Sequence, residues 1–383
     1  MRETRFPLVG TLAFLGVAMF APVASSQGVG QQVLGLVQGT NSLVRFTTAA
    51  PGTVGTPLAV SGLSAGDTLK AIDYRPATGV LFGIATDATN AAVRTYTINP
   101  TTGVATVVGA QVTLPVPAMA WDLNFNPTVD RIRVVNDQDE NVRLHPDFGT
   151  LAANDTDLTP GTVAVDAVAY TNPFAGATST TLYALNQTTN SLATIGGLNG
   201  TPSPNGGLVT DVGPLGITFA GSTTAFDIAT NNAAYGVLRP AGGPLTLYAI
   251  NLSTGAATSA GVVGDGSLAL DDIAIVDPAL LISPPTGTYT SRQNFDIVLL
   301  ADLQGRGLAA GTVTFNGLDV TSVIASCVVV GTAANGVTSL RCPGIGGAVT
   351  GSGTHTFVVR LNLDDGTLVQ RTVTWTVVAV TEP

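Results

Sequence analysis

Apolar residues in this chain fall in short runs, often Val-, Ile- or Leu-centred, separated by clusters of Gly, Pro, Asn, Asp and Thr. That punctuation predicts short strands and tight turns in place of helices. One pattern recurs. "LKAIDYRPATGVLFGIAT…VRTYTINPTTGVATVVG" from Leu69 matches "WDLNFNPTVDRIRVVND…NVRLHPDFGTLAA" from Trp121, with Pro76 against Pro127, Pro100 against Pro146 and Gly103 against Gly149. "VAVDAVAYTNP…TLYALNQTTNSLATIGG" is a third copy and "TTAFDIATNNAAYGVL…LTLYAINLSTGAATSAG" a fourth. The repeat distance, about 45 to 57 residues, suits one four-stranded propeller blade.

Each unit parses as a buried first strand ("AIDY", "LNFN", "FDIA"), a second such as "VLFGIA", a third such as "RTYTIN" or "LYAIN", and a fourth such as "ATVVG". A turn of the N-x-x-T-G kind joins the last two, where Gly103, Gly149, Asn190 and Gly255 can take positive φ. Alternation within the strands is weak, as expected for sheets packed face to face with both faces buried. The repeat region opens on "VLGLVQGTNSLVRFTTAAPGTVGTPLAV", a unit without its first strand, and closes on "LALDDIAIVDP", a first strand alone. Pairing these two ends would complete a blade and remove the free edge. The expectation is an all-β, five-bladed β-propeller-like domain, or six-bladed if the segment between Gly196 and Gly221 hides further strands.

After Asp277 the pattern changes. "NFDIVLLADL", "AGTVTFNGLDV", "SVIASCVVV", "GTHTFVVRLNL" and "TLVQRTVTWTVV" alternate cleanly, with a turn at Asp364-Asp365-Gly366, and predict an immunoglobulin-like β-sandwich with Trp375 in its core. The domain plan is a signal peptide over 1–26, a repeat domain over 27–278, a linker over 279–286 and the sandwich over 287–383.

Composition narrows the partners. Only 10% of the 383 residues are charged, against about 25% in an average soluble protein. With Lys70 the sole lysine and a net charge of −10, there is no basic surface for nucleic acid or anionic lipid. Arginines in Met1 to Arg5, the apolar Phe6 to Phe20 and the small residues of "APVASS" read as an export signal cut after Ser26. No second apolar span follows, so no membrane span is expected once the signal is removed, and the protein is expected to be secreted, periplasmic or held at the envelope. Cys327 and Cys342, flanking an "ANG" turn, read as a disulfide in that oxidising setting, with two free thiols the alternative.

Candidate chemistry is sparse. His145 takes the turn position held by Asn99, Asn186 and Asn251 in the other units, and His355 is distant in sequence, so a zinc hydrolase is not indicated. No nucleophile elbow, Walker loop or dinucleotide fingerprint occurs in a supporting context. Asp73, Asn124, Asp227 and Asp272 fall on first strands and could project into a central channel. Such acids could cap strand ends, hold calcium through oxygen ligands, or form a two-carboxylate glycosidase pair from Asp73, Asp227 and Asp272. Asp137, Asp139, Asp155 and Asp157 in "NDQDEN" and "NDTDLT" are further calcium candidates, without EF-hand spacing.

In "NPTVDRIRVVNDQDENVRL" arginines replace apolar strand residues: Arg131 stands against Val80 and Arg133 against Phe82, with Arg143 on the next strand. Their planar forks could clamp a carboxylate or phosphate ligand. Alternatively they form structural ion pairs with nearby acids (Asp130, Asp137, Asp139, Glu140), pinning one blade to the next.

"GTNSLVRFTTAAPG", "LKAIDYRPATGVLFGI", "NPTVDRIRVV" and "NVRLHPDFGTLAANDTDL" resemble the bacterial domain-of-unknown-function family catalogued as forty-three ninety-four, over roughly Val33 to Asp277. The resemblance implies an exported, repeat-built β domain with no assigned role and no catalytic residues to transfer. It also implies that an aspartate is more usual where Asn124 stands. The terminal segment resembles bacterial immunoglobulin-like modules generically. The leading expectation is a non-enzymatic binding or structural protein with an unknown extracellular ligand or envelope partner and no cofactor. A carbohydrate-active hydrolase using channel-facing acids, and a calcium-stabilised scaffold, are the alternatives.

Overall fold

A computed structural model describes residues 30–378 except 115, 162–163, 220–223, 277–278, 284–286, 291–296, 304–307, 322–327, 333–337, 346–351 and 364–366. The expected signal peptide lies outside the described residues, as does Cys327 of the expected Cys327–Cys342 disulfide. The chain is nearly all β among those residues, with two one-turn 3-10 helices at Leu198–Gly200 and Pro204–Gly206.

Three strands open the chain: β1 (Gln32–Val37), β2 (Ser42–Thr47) and β3 (Leu58–Ala59). A first complete sheet follows, made of β4 (Thr68–Arg75), β5 (Val80–Thr86), β6 (Ala92–Ile98) and β7 (Ala105–Thr113). The second contains β8 (Trp121–Asn126), β9 (Arg131–Asn136), β10 (Asn141–Leu144) and β11 (Leu151–Asn154). The third contains β12 (Val165–Tyr170), β13 (Leu182–Asn186), β14 (Ser191–Ile195) and β15 (Val209–Pro214). The fourth contains β16 (Ala225–Ile228), β17 (Ala234–Leu238), β18 (Thr246–Ile250) and β19 (Ala257–Val262).

The next strand, β20 (Leu270–Val276), returns to pair antiparallel with β1, giving a composite sheet ordered β20-β1-β2-β3. This is the pairing that the truncated opening unit and the lone closing strand require. The described residues of 196–219 supply β15 and the two 3-10 turns and add no further sheet to the five of the repeat region. First strands also neighbour one another: β20 lies beside β4, β4 beside β8, β8 beside β12, β12 beside β16 and β16 beside β20.

Successive sheets share apolar clusters. Ala71 and Phe82 of the first pack with Trp121, Phe125 and Ile132 of the second, the Phe82 and Phe125 rings meeting edge to face at 5.2 Å. Val135 packs with Val168 and Tyr170, Leu185 with Phe226, Val237 with Val44 and Ile275, and Leu36 and Ala274 with Leu69 and Ile72. Each such large side chain contributes roughly 1.5–3 kcal/mol by leaving water. A middle strand is therefore covered on both sides, which is why its polar alternation fades.

The turn between third and fourth strands also joins sheets. Gly149 has φ +63, and a Cβ there would stand 1.8 Å from the Val108 carbonyl oxygen of the first sheet; Gly255, at φ +80, would meet the Gly213 oxygen at 2.2 Å. Glycine serves both the left-handed turn and the close approach of the preceding sheet.

The C-terminal part has two sheets. β21 (Ala279–Ser283), β22 (Gly287–Thr290), β23 (Ile297–Asp302), β24 (Leu308–Phe315), β25 (Leu318–Asp319), β26 (Val328–Thr332), β27 (Thr338–Ile345), β28 (Gly353–Leu363) and β29 (Leu368–Val378) are ordered β21-β23-β27-β26 and β22-β29-β28-β24-β25. Residues 279–283, expected to be linker, instead form β21 along β23, because the run Ala-Leu-Leu-Ile-Ser is apolar enough to join a core. Leu280 and Ile282 share that core with Val313, Phe357 and the fully buried Trp375.

Candidate functional site

Aspartates on the first strands connect neighbouring sheets by a repeated device. Asp73 accepts from its neighbour Tyr74 N at one oxygen (2.6 Å) and from Phe125 N of β8 at the other (2.7 Å). Asp122 does the same with Leu123 N (2.7 Å) and Val168 N of β12 (2.5 Å). Asp227 uses Ile228 N (2.7 Å) and Ile275 N of β20 (2.6 Å), and Asp272 uses Ile273 N (2.7 Å) and Ile72 N of β4 (2.7 Å). Asn124 reaches Tyr170 N of β12 through its Oδ1 at 2.9 Å. A first strand has no hydrogen-bonded neighbour on its inner edge, so its amides need acceptors, and a carboxyl group offers two oxygens for them.

All four aspartates are buried. Burial pushes the Asp73 carboxyl well above the usual aspartate range, and the negative charge of Asp227 adds to the rise. Burial likewise raises Asp272, with Asp122 as its principal repulsive neighbour. The main repulsions thus link Asp73 with Asp227 and Asp272 with Asp122, with weaker ones from Asp122 on Asp73 and from Asp227 on Asp272.

The first pair borders a cavity of about 1010 Å³ that β29 helps to line from the C-terminal sheets. Its wall includes Arg45, Tyr74, Arg75, Phe174, Thr230 and Arg371. Arg75 is neutralised by Asp130 and by Asp147 at 2.7 Å, both from turns of the second sheet. Arg371 donates from Nε to the Leu280 oxygen (3.1 Å) and from one terminal nitrogen to the Ala77 oxygen (2.6 Å), fastening β29 to the turn between β4 and β5. Burial depresses the Arg371 pKa, and no acid offsets the effect. Arg45 donates to the Pro100 oxygen at 2.7 Å. Neither Arg45 nor Arg371 has a carboxylate partner among the described residues.

The arginines of the second sheet are placed differently. Arg133 is 1% exposed and donates to Asp155 (2.5 Å), Asn141 (2.7 Å), Asn205 (2.6 Å) and Tyr170 (3.3 Å). Asn205 and Tyr170 belong to the third repeat, so Arg133 joins two sheets. Arg143 grips Asp155 through two bonds, at 2.7 and 2.8 Å. Both guanidiniums hold the Asp155 carboxyl below the usual range, against its burial. Arg131 reaches only the Val129 and Asp130 backbone oxygens of its own turn.

Of the calcium candidates, Asp155 is thus engaged by arginines and Asp137 accepts from Met119 N at 3.1 Å. Asp139 is raised by burial and by the charge of Asp157. Among the described residues no group of three or more His, Cys, Asp or Glu side chains is arranged to hold a metal ion. His145 sits in the turn position of Asn99 and Asn251: in all three, the amide of a glycine four residues on donates to its carbonyl at 2.8 Å. His355 stacks on Phe315 and contacts Asn316 at 3.1 Å.

Sequence matching set Asn124 against Asp73 and passed over Asp122, although an acid directly after an apolar residue recurs as Ile72-Asp73, Trp121-Asp122 and Phe226-Asp227. Asp155 as the partner of Arg133 and Arg143 was also missed, as were Arg45 and Arg371. The Arg371–Ala77 contact spans 294 residues, so no local signal pointed to it.

Repeated four-stranded antiparallel sheets, laced through first-strand carboxylates, define an all-β repeat protein. The chain belongs to the family described as Domain of unknown function (DUF4394), whose model matches residues 42–274, from β2 into β20. No curated protein matches the sequence. Among solved structures it is similar to the extracellular domain of BT4673, described as a hybrid two-component system of B. thetaiotaomicron, at 9% identity and a TM-score of 0.32, covering 92% of this chain and 58% of that one. A second is the extracellular domain of BT3049 from the same organism, at 10% identity and a TM-score of 0.28, with 91% and 55% covered. The chain spans a little over half the length of those structures. No helix among the described residues is long and apolar enough to cross a membrane.

Proposed function

We propose that this is an exported, non-enzymatic binding protein: a five-bladed propeller closed by the two ends of its repeat region, carrying an immunoglobulin-like sandwich, with its ligand site in the cavity between them. The cyclic order of first strands and the β20–β1 pairing support the propeller. The apolar run Phe6 to Phe20 supports export. The observation that carries the binding reading is the cavity of about 1010 Å³, walled by aromatic and charged side chains, whose acids Asp73 and Asp227 already spend both oxygens on backbone amides.

Screening the mature protein against an array of glycans and envelope components tests this. A ligand bound by wild type should lose at least about tenfold in affinity on Ala175→Trp, which adds an indole ring to the cavity wall. Retained affinity would put the ligand elsewhere.

A hydrolase is the second reading. It is favoured by Asp73 and Asp227 sharing the cavity wall while burial and mutual repulsion raise Asp73, the condition under which one acid of a pair keeps a proton. Turnover of a polysaccharide, abolished by Asp227→Asn, would establish it over binding alone.

A further inference from the structure

Resting on the cavity reading above, we propose that the ligand carries a carboxylate, as in an acidic oligosaccharide, and that Arg45 and Arg371 receive it.

The charges around the wall point to this class. Arg75 is matched by Asp130 and Asp147, so it has no charge to offer a ligand. Arg45 and Arg371 are both half-buried, and their bonds go to the neutral oxygens of Pro100, Leu280 and Ala77, with a longer one to Pro76 at 3.4 Å. A guanidinium has five N–H donors. Arg45 engages one nitrogen, and Arg371 leaves its second terminal nitrogen without a protein acceptor among the described residues. A half-buried cation with spare donors and no counterion is costly unless solvent or a ligand completes it, and a planar oxyanion matches its fork.

The same surroundings decide between oxyanions. Backbone carbonyls of Pro76, Ala77 and Pro100 crowd the two arginines, and Asp73 and Asp227 border the same space. A dianionic phosphate would meet those negative ends at close range, whereas a single carboxylate spreads less charge. The rest of the wall offers Gln32 and the Gln370 amide nitrogen for hydroxyl groups and the rings of Tyr74 and Phe174 for a sugar face.

Calorimetric titration of the full mature chain with trigalacturonate, and with its methyl ester, tests the inference. The ester keeps the sugar body and removes the charge. The acid is expected to bind at least about tenfold more tightly than the ester. Arg371→Gln should erase most of that preference, and so should Arg45→Gln, which leaves the β29 contact untouched if Arg371→Gln loosens the sandwich. Inorganic phosphate should not compete with the acid. Equal binding of acid and ester, or a preference surviving Arg45→Gln, overturns the carboxylate role while leaving the cavity as a binding site. Competition by phosphate overturns the choice of oxyanion. Binding of neither trisaccharide overturns the acidic-oligosaccharide class, and the cavity reading is then decided separately by array ligands and Ala175→Trp.

Discussion

Arg133 and Arg371 both stand on strands, and both hold one part of the molecule against another, yet their charges are treated in opposite ways. Arg133 is shut from solvent and met by Asp155 and three neutral acceptors, so each nitrogen of its fork is engaged. Arg371 joins the C-terminal sheets to the repeat domain through carbonyls alone and keeps an unmatched positive charge at a cavity wall. Pairing inside one's own domain makes an arginine structural. An arginine with neutral partners beside open volume keeps its charge uncompensated, which is the basis of the ligand role proposed for Arg371. Position on a strand does not separate the two; the surrounding acids do.

The largest loss of stability is expected at Arg133. Arg133→Ala removes the guanidinium between the second and third sheets and leaves Asp155 with Arg143 alone. Urea denaturation should show a loss of about 3–5 kcal/mol. A loss under about 1 kcal/mol would mean that the cluster is replaceable packing and that the contrast with Arg371 is empty.

A second expected effect separates the two kinds of carboxylate. Asp73 and Asp272 have pKa values raised in the folded state, so the native protein binds more protons than the unfolded chain above the ordinary aspartate value of 3.8, and stability falls as pH rises from there through the raised pKa. Asp155 is held low by its arginines; its contribution is present above 3.8 and is lost as pH falls through its depressed pKa. Denaturation measured against pH should therefore give a maximum in the acid range. Asp73→Asn, besides lowering stability throughout, should flatten the decline on the alkaline side. A slope unchanged by that substitution would show that Asp73 ionises as freely in the fold as outside it.

How far the sequence went depended on whether the signal repeated. The four-strand unit, its turn glycines and the incomplete opening unit are periodic, and the Asn99 and Asn251 turns are legible because the same side chain bonds the same amides in each: Asn99 Oδ1 takes Thr101 N and Thr102 N, and Asn251 Oδ1 takes Ser253 N and Thr254 N. The arginine substitutions in "DRIRVV" stood out against apolar siblings. Their partner did not, because Asp155 lies 22 residues from Arg133, beyond the acids nearest in sequence. Asp122 was hidden by a register choice: either it or Asn124 can be set against Asp73, and the structure uses both. The cavity was not legible at all, since its wall joins β4, the 173–175 loop, β16 and β29. Nor was β21, whose run looked like a linker beside Pro284 and Pro285 until β23 was there to pair with it.

Arg131 should matter least to stability. Arg131 has the same side chain as Arg133 and lies two residues away, facing the same way along β9. Its guanidinium nevertheless reaches only the Val129 and Asp130 carbonyls, within its own turn. It joins no second sheet. Arg131→Ala should thus cost no more than about 0.5 kcal/mol in urea denaturation, the usual scale for a surface substitution away from special features. If it costs as much as Arg133→Ala, the pinning of these sheets arises from the net charge of the segment and not from the single fork that reaches Tyr170 and Asn205.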